Sequence, residues 1–196
     1  VVVRRRPAGT GGIVAAVAGG LFVVIGVVGV LAAIAIPNFV KFQVRAKEVE
    51  ARTNLSALAV AERLHAEAGN GIVQLSLPAE QAPGSSKLVW SPEDRALAAE
   101  LGWSVEPATY FVYQVAAEED EDGNVAWAAC AEADIDGDGT VQAWAVFQPA
   151  MDESGEAVLE PPEAPCAFDP ALAREPVRGP EDPIGRPVKL SPADVY

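Results

Sequence analysis

Hydrophobic residues dominate the start of the chain, where no charged side chain occurs from Pro7 to Val40. Residues 13–36 are apolar apart from small glycines. A helix of this length rises roughly 36 Å at ~1.5 Å per residue, enough to cross a hydrocarbon core of ~30 Å. The pattern predicts a transmembrane helix over residues 13–36, preceded by a basic N-terminus at residues 1–12.

After Pro37 the pattern becomes amphipathic. Apolar side chains recur at helical spacing among charged ones, at Val44, Ala51, Leu55 and Leu58. No glycine interrupts this segment before Gly69, so one helix of about 55 residues is predicted. Its second half, residues 37–68, is expected to lie on a soluble head. Pro37 lacks a backbone donor and is expected to bend or loosen the helix at the junction.

Residues 69–148 are predicted to form an acidic α/β head. Residues 72–86 are predicted to be a loop. A short helix follows, with Ser91 as its N-cap, Pro92 in its first turn and Gly102 at its end. Short turns then separate three strand-like runs, which predicts an antiparallel meander. The runs are Tyr110–Ala117, Val125–Ala133 and Thr140–Phe147.

The last segment, residues 149–196, contains ten prolines and shows no apolar period. It is predicted to be an extended or disordered tail. The fold class is therefore α+β: a long N-terminal helix packed on a small antiparallel sheet, with a proline-rich C-terminal tail.

Charged residues predict the orientation of the apolar helix in the membrane and argue against a nucleic-acid partner. Arg4–Arg6 precede the apolar span, which places the N-terminus in the cytoplasm and the head outside. A cleaved signal peptide is the alternative for this span. The net charge of the chain is −14, and 24 acidic against 6 basic residues lie between Asn70 and Tyr196. Such a head repels phosphates, so no nucleic-acid partner is expected.

Two cysteines, Cys130 and Cys166, are expected to pair as a disulfide if the head lies in an oxidising compartment. Residues Asp134, Asp136 and Asp138 alternate in DIDGDG, like the start of a calcium loop. An EF-hand would need a glutamate where Ala145 stands, so this is not an EF-hand. The alternatives are a calcium turn and an ordinary acidic hairpin turn.

The segment GVLAAIAIPNFVKFQVRAKEVEARTNLSALAVAE, Gly29 to Glu62, resembles the N-terminal helix of type IV pilins and type II secretion pseudopilins. The resemblance implies a pilin-like fold and a subunit that assembles with other pilin-like subunits through this helix. It also implies a single-pass inner-membrane protein with a periplasmic or extracellular head, which a surface filament can incorporate. Some pseudopilins carry a calcium ion near their C-terminal loop, so the resemblance also favours the calcium turn at Asp134, Asp136 and Asp138.

The chain departs from the family upstream of this motif. The register of Pro37 places the peptidase cut between Ala15 and Ala16, where the family has glycine and phenylalanine. The glutamate of the family falls at Gly20. These departures suggest a chain that stays uncleaved and anchored, because a buried terminal amine would lack its compensating carboxylate.

Small residues offer the span a way to pack against other helices. They are spaced by four at Gly12, Ala16 and Gly20, at Gly11, Ala15 and Gly19, and at Gly29 and Ala33. The alternative is that small residues are simply common in membrane helices. No phosphate loop, nucleophile elbow or zinc spacing is found, so no enzyme is expected.

The sequence thus leaves two functions open. One is a structural pilin-like or pseudopilin-like subunit that acts by helix packing. The other is a membrane-anchored acidic head that does not polymerise and binds calcium or a partner protein.

Overall fold

The computed structural model describes residues 10–166 and 185–191 of the 196-residue chain. Its helices are α1 (Thr10–Glu67) and α2 (Pro92–Leu101). Its strands are β1 (Leu75–Leu77), β2 (Leu88–Val89), β3 (Ala108–Thr109), β4 (Val112–Glu119), β5 (Val125–Ala133), β6 (Gln142–Gln148), β7 (Ala150–Met151), β8 (Ala157–Leu159) and β9 (Val188–Lys189). The α+β, pilin-like class predicted from the sequence is confirmed.

Helix α1 is continuous over 58 residues and includes Pro37. The expectation of one very long helix is therefore confirmed, while the bend expected at Pro37 stays a prediction. The chain divides into two compact units, Val1–Gln43 and Val44–Tyr196. Described residues of the first unit belong to the apolar part of α1, and the second unit contains the head.

The centre of the head is an antiparallel sheet with strand order β1-β4-β5-β6-β9. The predicted meander corresponds to β4, β5 and β6, and β5 has the predicted bounds. The other two strands begin two residues later than their strand-like runs. Register pairs Val112 with Glu132 and Ala131 with Trp144 across the three strands.

Helix α2 forms where its local signals predicted it. The Ser91 hydroxyl accepts a hydrogen bond from the Asp94 amide at 3.0 Å, and the Asp94 carboxylate accepts one from the Ser91 amide at 2.9 Å. This reciprocal capping box satisfies two amides that the first helical turn leaves unpaired. Gly102 ends the helix with φ 82°, a left-handed conformation that favours glycine.

Several short strands differ from the sequence expectation. Strand β1 lies in the segment predicted as a loop and pairs with β4. The segment predicted as an extended tail contains β7 and β8, which pair with each other, and β9, which adds to β6. Strands of two or three residues are too short to show a two-residue period, so pairing rather than pattern defines them. Residues 167–184 and 192–196 of the tail lie outside the described residues.

One face of the sheet packs with the second half of α1. The predicted stripe of Val44, Ala51, Leu55 and Leu58 is buried in one cluster with Trp127 and Trp144, as expected. Leu55 and Leu58 have no exposed surface. Burying a leucine side chain contributes ~1.5–3 kcal/mol, so this stripe is a principal support of the head.

The opposite face of the sheet is also covered. Cys130, Ala143 and Ala145 form a second buried cluster with Cys166 and Leu190 from the C-terminal segment. A disulfide joins Cys130 to Cys166, with the two Cα atoms 6.0 Å apart. The C-terminal segment therefore forms part of the core of the head.

Candidate functional site

The most unusual surface of the chain is the apolar part of α1 in the first unit. Large hydrophobic side chains are exposed along it, among them Phe22 at 83% and Phe39 at 61%. One described helix is long and apolar enough to cross a membrane, and its most apolar window has a mean hydropathy of 2.7. Exposed apolar patches of this size on soluble monomers are rare, so this surface requires either lipid or protein around it.

Small residues interrupt this apolar surface at regular intervals. A Cβ added at Gly12, Gly20 or Gly29 would meet no atom within 4 Å. Ala16 and Ala33 are exposed on the same helix. A neighbouring helix could approach the backbone closely at such positions, which is how small residues favour helix association in lipid.

The predicted processing position lies inside α1. Ala15 and Ala16 are both helical and exposed, as is Gly20 in the place of the family's glutamate. That the chain stays uncleaved at this position remains a prediction.

One comparison with known proteins finds a relative for the N-terminal region. The chain is 58% identical over 43 residues to the type IV major pilin protein PilA of Myxococcus xanthus strain DK1622. The match covers 22% of this chain, and the chain spans about a fifth of the length of that relative. The N-terminal helix is type IV pilin-like.

No protein-family model matches the chain, and no solved structure matches it significantly. The similarity and the apolar helix are together consistent with a membrane-anchored, filament-forming protein.

Polar side chains fix the second half of α1 to the head. Glu50 accepts a hydrogen bond from the Tyr110 amide at 2.7 Å. The Asn54 amide donates to the Tyr113 hydroxyl at 2.9 Å, and Lys47 donates to the Ile135 carbonyl at 2.7 Å. Neither Lys47 nor Glu50 was predicted to contact the head. Their positions beside the apolar stripe, three or four residues apart, are the signal that could have identified them.

Glu62 makes a further contact of this kind from a fully buried position. Its Oε2 accepts a hydrogen bond from the Val73 amide at 2.9 Å, and its Oε1 is buried without a hydrogen-bond partner among the described residues. Burial raises the pKa of Glu62 from 4.5 to about 7, and the Val73 hydrogen bond opposes that rise. The carboxylate is thus held where its charge is poorly solvated.

The structure brings together the three aspartates predicted as a calcium turn. Asp134, Asp136 and Asp138 each offer an oxygen, and these oxygens lie within 4.8 Å of one another. The Asp134 carboxylate also accepts hydrogen bonds from the loop amides of Gly137, Asp138 and Gly139 at 2.8–3.1 Å. Oδ2 of Asp136 is buried and has no hydrogen-bond partner among the described residues. This geometry suits a hard cation, and it also suits a turn closed by its own hydrogen bonds.

Proposed function

We propose that the protein is a structural subunit of a type IV pilus or a type II secretion filament. The N-terminal helix anchors the chain in the inner membrane with its N-terminus in the cytoplasm, and the acidic head lies outside. The observation that carries this proposal is the exposed apolar half of α1, in a chain whose N-terminal region is 58% identical to a type IV major pilin. Pilin similarity also favours a structural role over catalysis.

Helix packing is the proposed mechanism. In the membrane, exposed side chains such as Phe22 and Leu31 contact lipid tails, and in a filament they contact the helices of other subunits. Lipid is about as apolar as these side chains, so hydrophobic burial gives little advantage to either state. Close contact at small residues such as Gly12, Ala16, Gly20, Gly29 and Ala33 is therefore proposed to favour assembly.

The degenerate processing position suggests a specialised form of this function. If the chain is not cut between Ala15 and Ala16, Arg4–Arg6 remain on the cytoplasmic side. Moving an arginine through the bilayer costs ~2.5–3.5 kcal/mol on insertion scales. An uncut chain would then stay anchored and act as the base or an adaptor of a filament.

Mass spectrometry of the chain purified from membranes tests the processing step. An intact N-terminus that includes Arg4–Arg6 is expected for the anchored form, and a chain that starts at Ala16 would overturn it. Filaments sheared from cells test the broader proposal. The protein should be present in the filament or in its membrane base, and loss of the gene should alter filament number or secretion. Intact filaments and normal secretion without it would refute a structural role.

A second candidate function is calcium binding by the head. Three carboxylates within 4.8 Å and the buried, unpartnered Oδ2 of Asp136 favour it. Calcium takes 6–8 oxygen ligands, so carbonyls and waters would have to complete the site. The Asp136→Asn variant should lose a calcium-dependent rise in melting temperature. Asp152→Asn, in an exposed turn held by similar hydrogen bonds, is the matched control. No calcium effect on the unaltered full chain would dismiss this candidate.

A further inference from the structure

A groove lies on the surface of the head where α1 meets the C-terminal segment. It has a volume of about 380 Å³ and is lined by Val49, Arg52, Thr53, Ser56 and Pro187. Arg52 and Thr53 are neighbours in sequence, and each lies three or four residues from Val49 and from Ser56, so the four residues form one face of α1. Val49 is 59% exposed, although it stands next to the buried stripe of the same helix. The groove thus combines an apolar wall with a cation and two hydroxyl groups.

Arg52 is held in place by an aromatic ring. Its guanidinium carbon lies 5.4 Å from the centre of the Trp144 ring, and Trp144 itself is only 9% exposed. Lys189 lies over the same ring at 5.9 Å, but its ammonium group is paired with Glu48 at 2.5 Å. Glu48 is therefore engaged by Lys189 rather than by Arg52, the residue four positions along the helix.

No described carboxylate forms an ion pair with Arg52. Its guanidinium thus lies over the Trp144 ring, and Arg52 is exposed with no carboxylate partner among the residues that the structure describes. Arginine presents a planar fork of donors that matches a carboxylate. Thr53 and Ser56 add hydroxyl groups beside it. The groove is suited to a carboxylate on a peptide segment.

Among the described residues of the head, exposed carboxylates are most concentrated at the β4–β5 turn, counted here with the last two residues of β4. Five consecutive acidic residues occupy Glu118–Asp122, and four of them are exposed. Asp120 organises the turn, because its carboxylate accepts hydrogen bonds from the amides of Asp122 and Asn124 at 3.0 and 2.8 Å. These hydrogen bonds also lower the pKa of Asp120. The other four carboxylates are left to solvent on a pre-organised turn.

The groove and the turn of one chain are too far apart to meet. Trp144 beneath Arg52 is paired with Ala131, and the acidic run begins at Glu118, which is paired with Ala126, five residues along β5. Five residues of strand span about 17 Å at ~3.3 Å per residue. A carboxylate from this turn can therefore reach Arg52 only from another molecule.

We propose that the groove around Arg52 binds the acidic β4–β5 turn of a second copy of this chain. The contact joins two different surfaces, so it repeats from copy to copy rather than closing a dimer. This inference rests on the proposed function, since it names the head contact by which subunits of a filament recognise each other.

Site-directed cross-linking of the full chain in membranes tests the contact. The Thr53→Cys, Glu121→Cys double variant should give a ladder of oxidised multimers, because a disulfide requires Cα atoms within about 7 Å. Each single variant should give none of the larger multimers. A control pair, Val89→Cys with Glu121→Cys, places the first cysteine at a residue that is 68% exposed and does not line the groove. A disulfide between the two introduced cysteines of one and the same chain would overturn the proposal.

Charge exchange tests the role of Arg52. Arg52→Glu in the double-cysteine background should lower the multimer yield several-fold. Glu119→Arg added to it should restore the yield, because the pair is then reversed. Arg63→Glu, an equal charge change at an exposed position of the same helix, is the control and should leave the ladder intact.

The cross-linking results distinguish failure of the head contact from failure of the proposed filament function. If cysteines placed in the apolar half of α1 cross-link neighbouring chains but the Thr53–Glu121 pair does not, the head contact is wrong and the filament function stands. If neither pair cross-links, both fail. If the Arg63→Glu control also loses the multimers, the effect of Arg52→Glu comes from the change in net charge alone. That result would overturn the specific contact between Arg52 and the acidic turn.

Discussion

The buried carboxyl of Glu62 makes the stability of the head depend on pH. Its pKa is 4.5 in an ordinary environment and about 7 in the folded head, because burial disfavours the charged form. Between these values the folded chain binds more protons at this position than the unfolded chain does. Stability from Glu62 is thus complete below pH 4.5, falls as the pH rises to about 7, and stays level above that.

The Glu62→Gln substitution removes this effect while retaining an acceptor for the Val73 amide. One pKa unit corresponds to ~1.4 kcal/mol, so the charged carboxylate costs up to about 3 kcal/mol at pH 8. We expect the variant to be more stable than the unaltered chain at pH 8 by up to that amount. At pH 4.5 the two should be nearly equal, since both side chains are then neutral.

Urea unfolding of the full chain in detergent, followed by tryptophan fluorescence, measures this difference at each pH. All four tryptophans lie in the head, so their emission reports on its unfolding. The other acidic groups contribute to both proteins and cancel in the difference. Glu67→Gln, at an exposed position one turn further along α1, should show no such pH-dependent gain. A Glu62→Gln difference that is constant from pH 4.5 to 8 would refute the reasoning.

Two further changes test how the head is held together. Replacing Cys130 and Cys166 together by alanine should destabilise the head by about 3–4 kcal/mol. The disulfide closes a loop of 36 residues, and its loss restores the conformational entropy of that loop in the unfolded chain. Urea unfolding of the unaltered chain and of the variant measures the difference. Leu55→Ala should lower the free energy of unfolding by ~2–5 kcal/mol because it opens a cavity in the buried stripe. In the same assay Leu64→Ala, at a position that is 60% exposed, should change it by less than about 0.5 kcal/mol.

Local signals predicted both described helices and the central meander. The long apolar run and the stripe that follows it determine α1, and the Ser91–Asp94 capping box determines where α2 begins. Strand β5 also carries a local signal for a contact on its second face. It is apolar on both faces as far as Ala131, and such strands are typically covered on both sides. That pattern could have indicated that the C-terminal segment docks on the sheet.

Long-range contacts could not be predicted in this way. The pairing of Lys189 with Glu48 joins residues 141 positions apart, and a two-residue strand such as β9 has no period to detect. The groove around Arg52 depends on the Lys189–Glu48 pair and on β9, since Pro187 reaches α1 only when β9 is in the sheet. The cluster of Asp134, Asp136 and Asp138 could be predicted because these residues alternate within one short turn. Their hydrogen bonds within the turn appear only in the fold.

Two electrostatic effects with opposite salt dependence act between neighbouring heads. Heads with such an excess of acidic residues repel each other, and added salt screens this repulsion and favours association. The proposed pairing of Arg52 with the acidic turn is attractive, and salt weakens it. In the Arg52→Glu variant the attraction is absent and only repulsion remains. Raising the salt concentration should therefore increase multimer yield in that variant more than in the unaltered chain, when both carry the cross-linking cysteines. Equal salt responses of the two proteins would mean that Arg52 carries no attraction between heads.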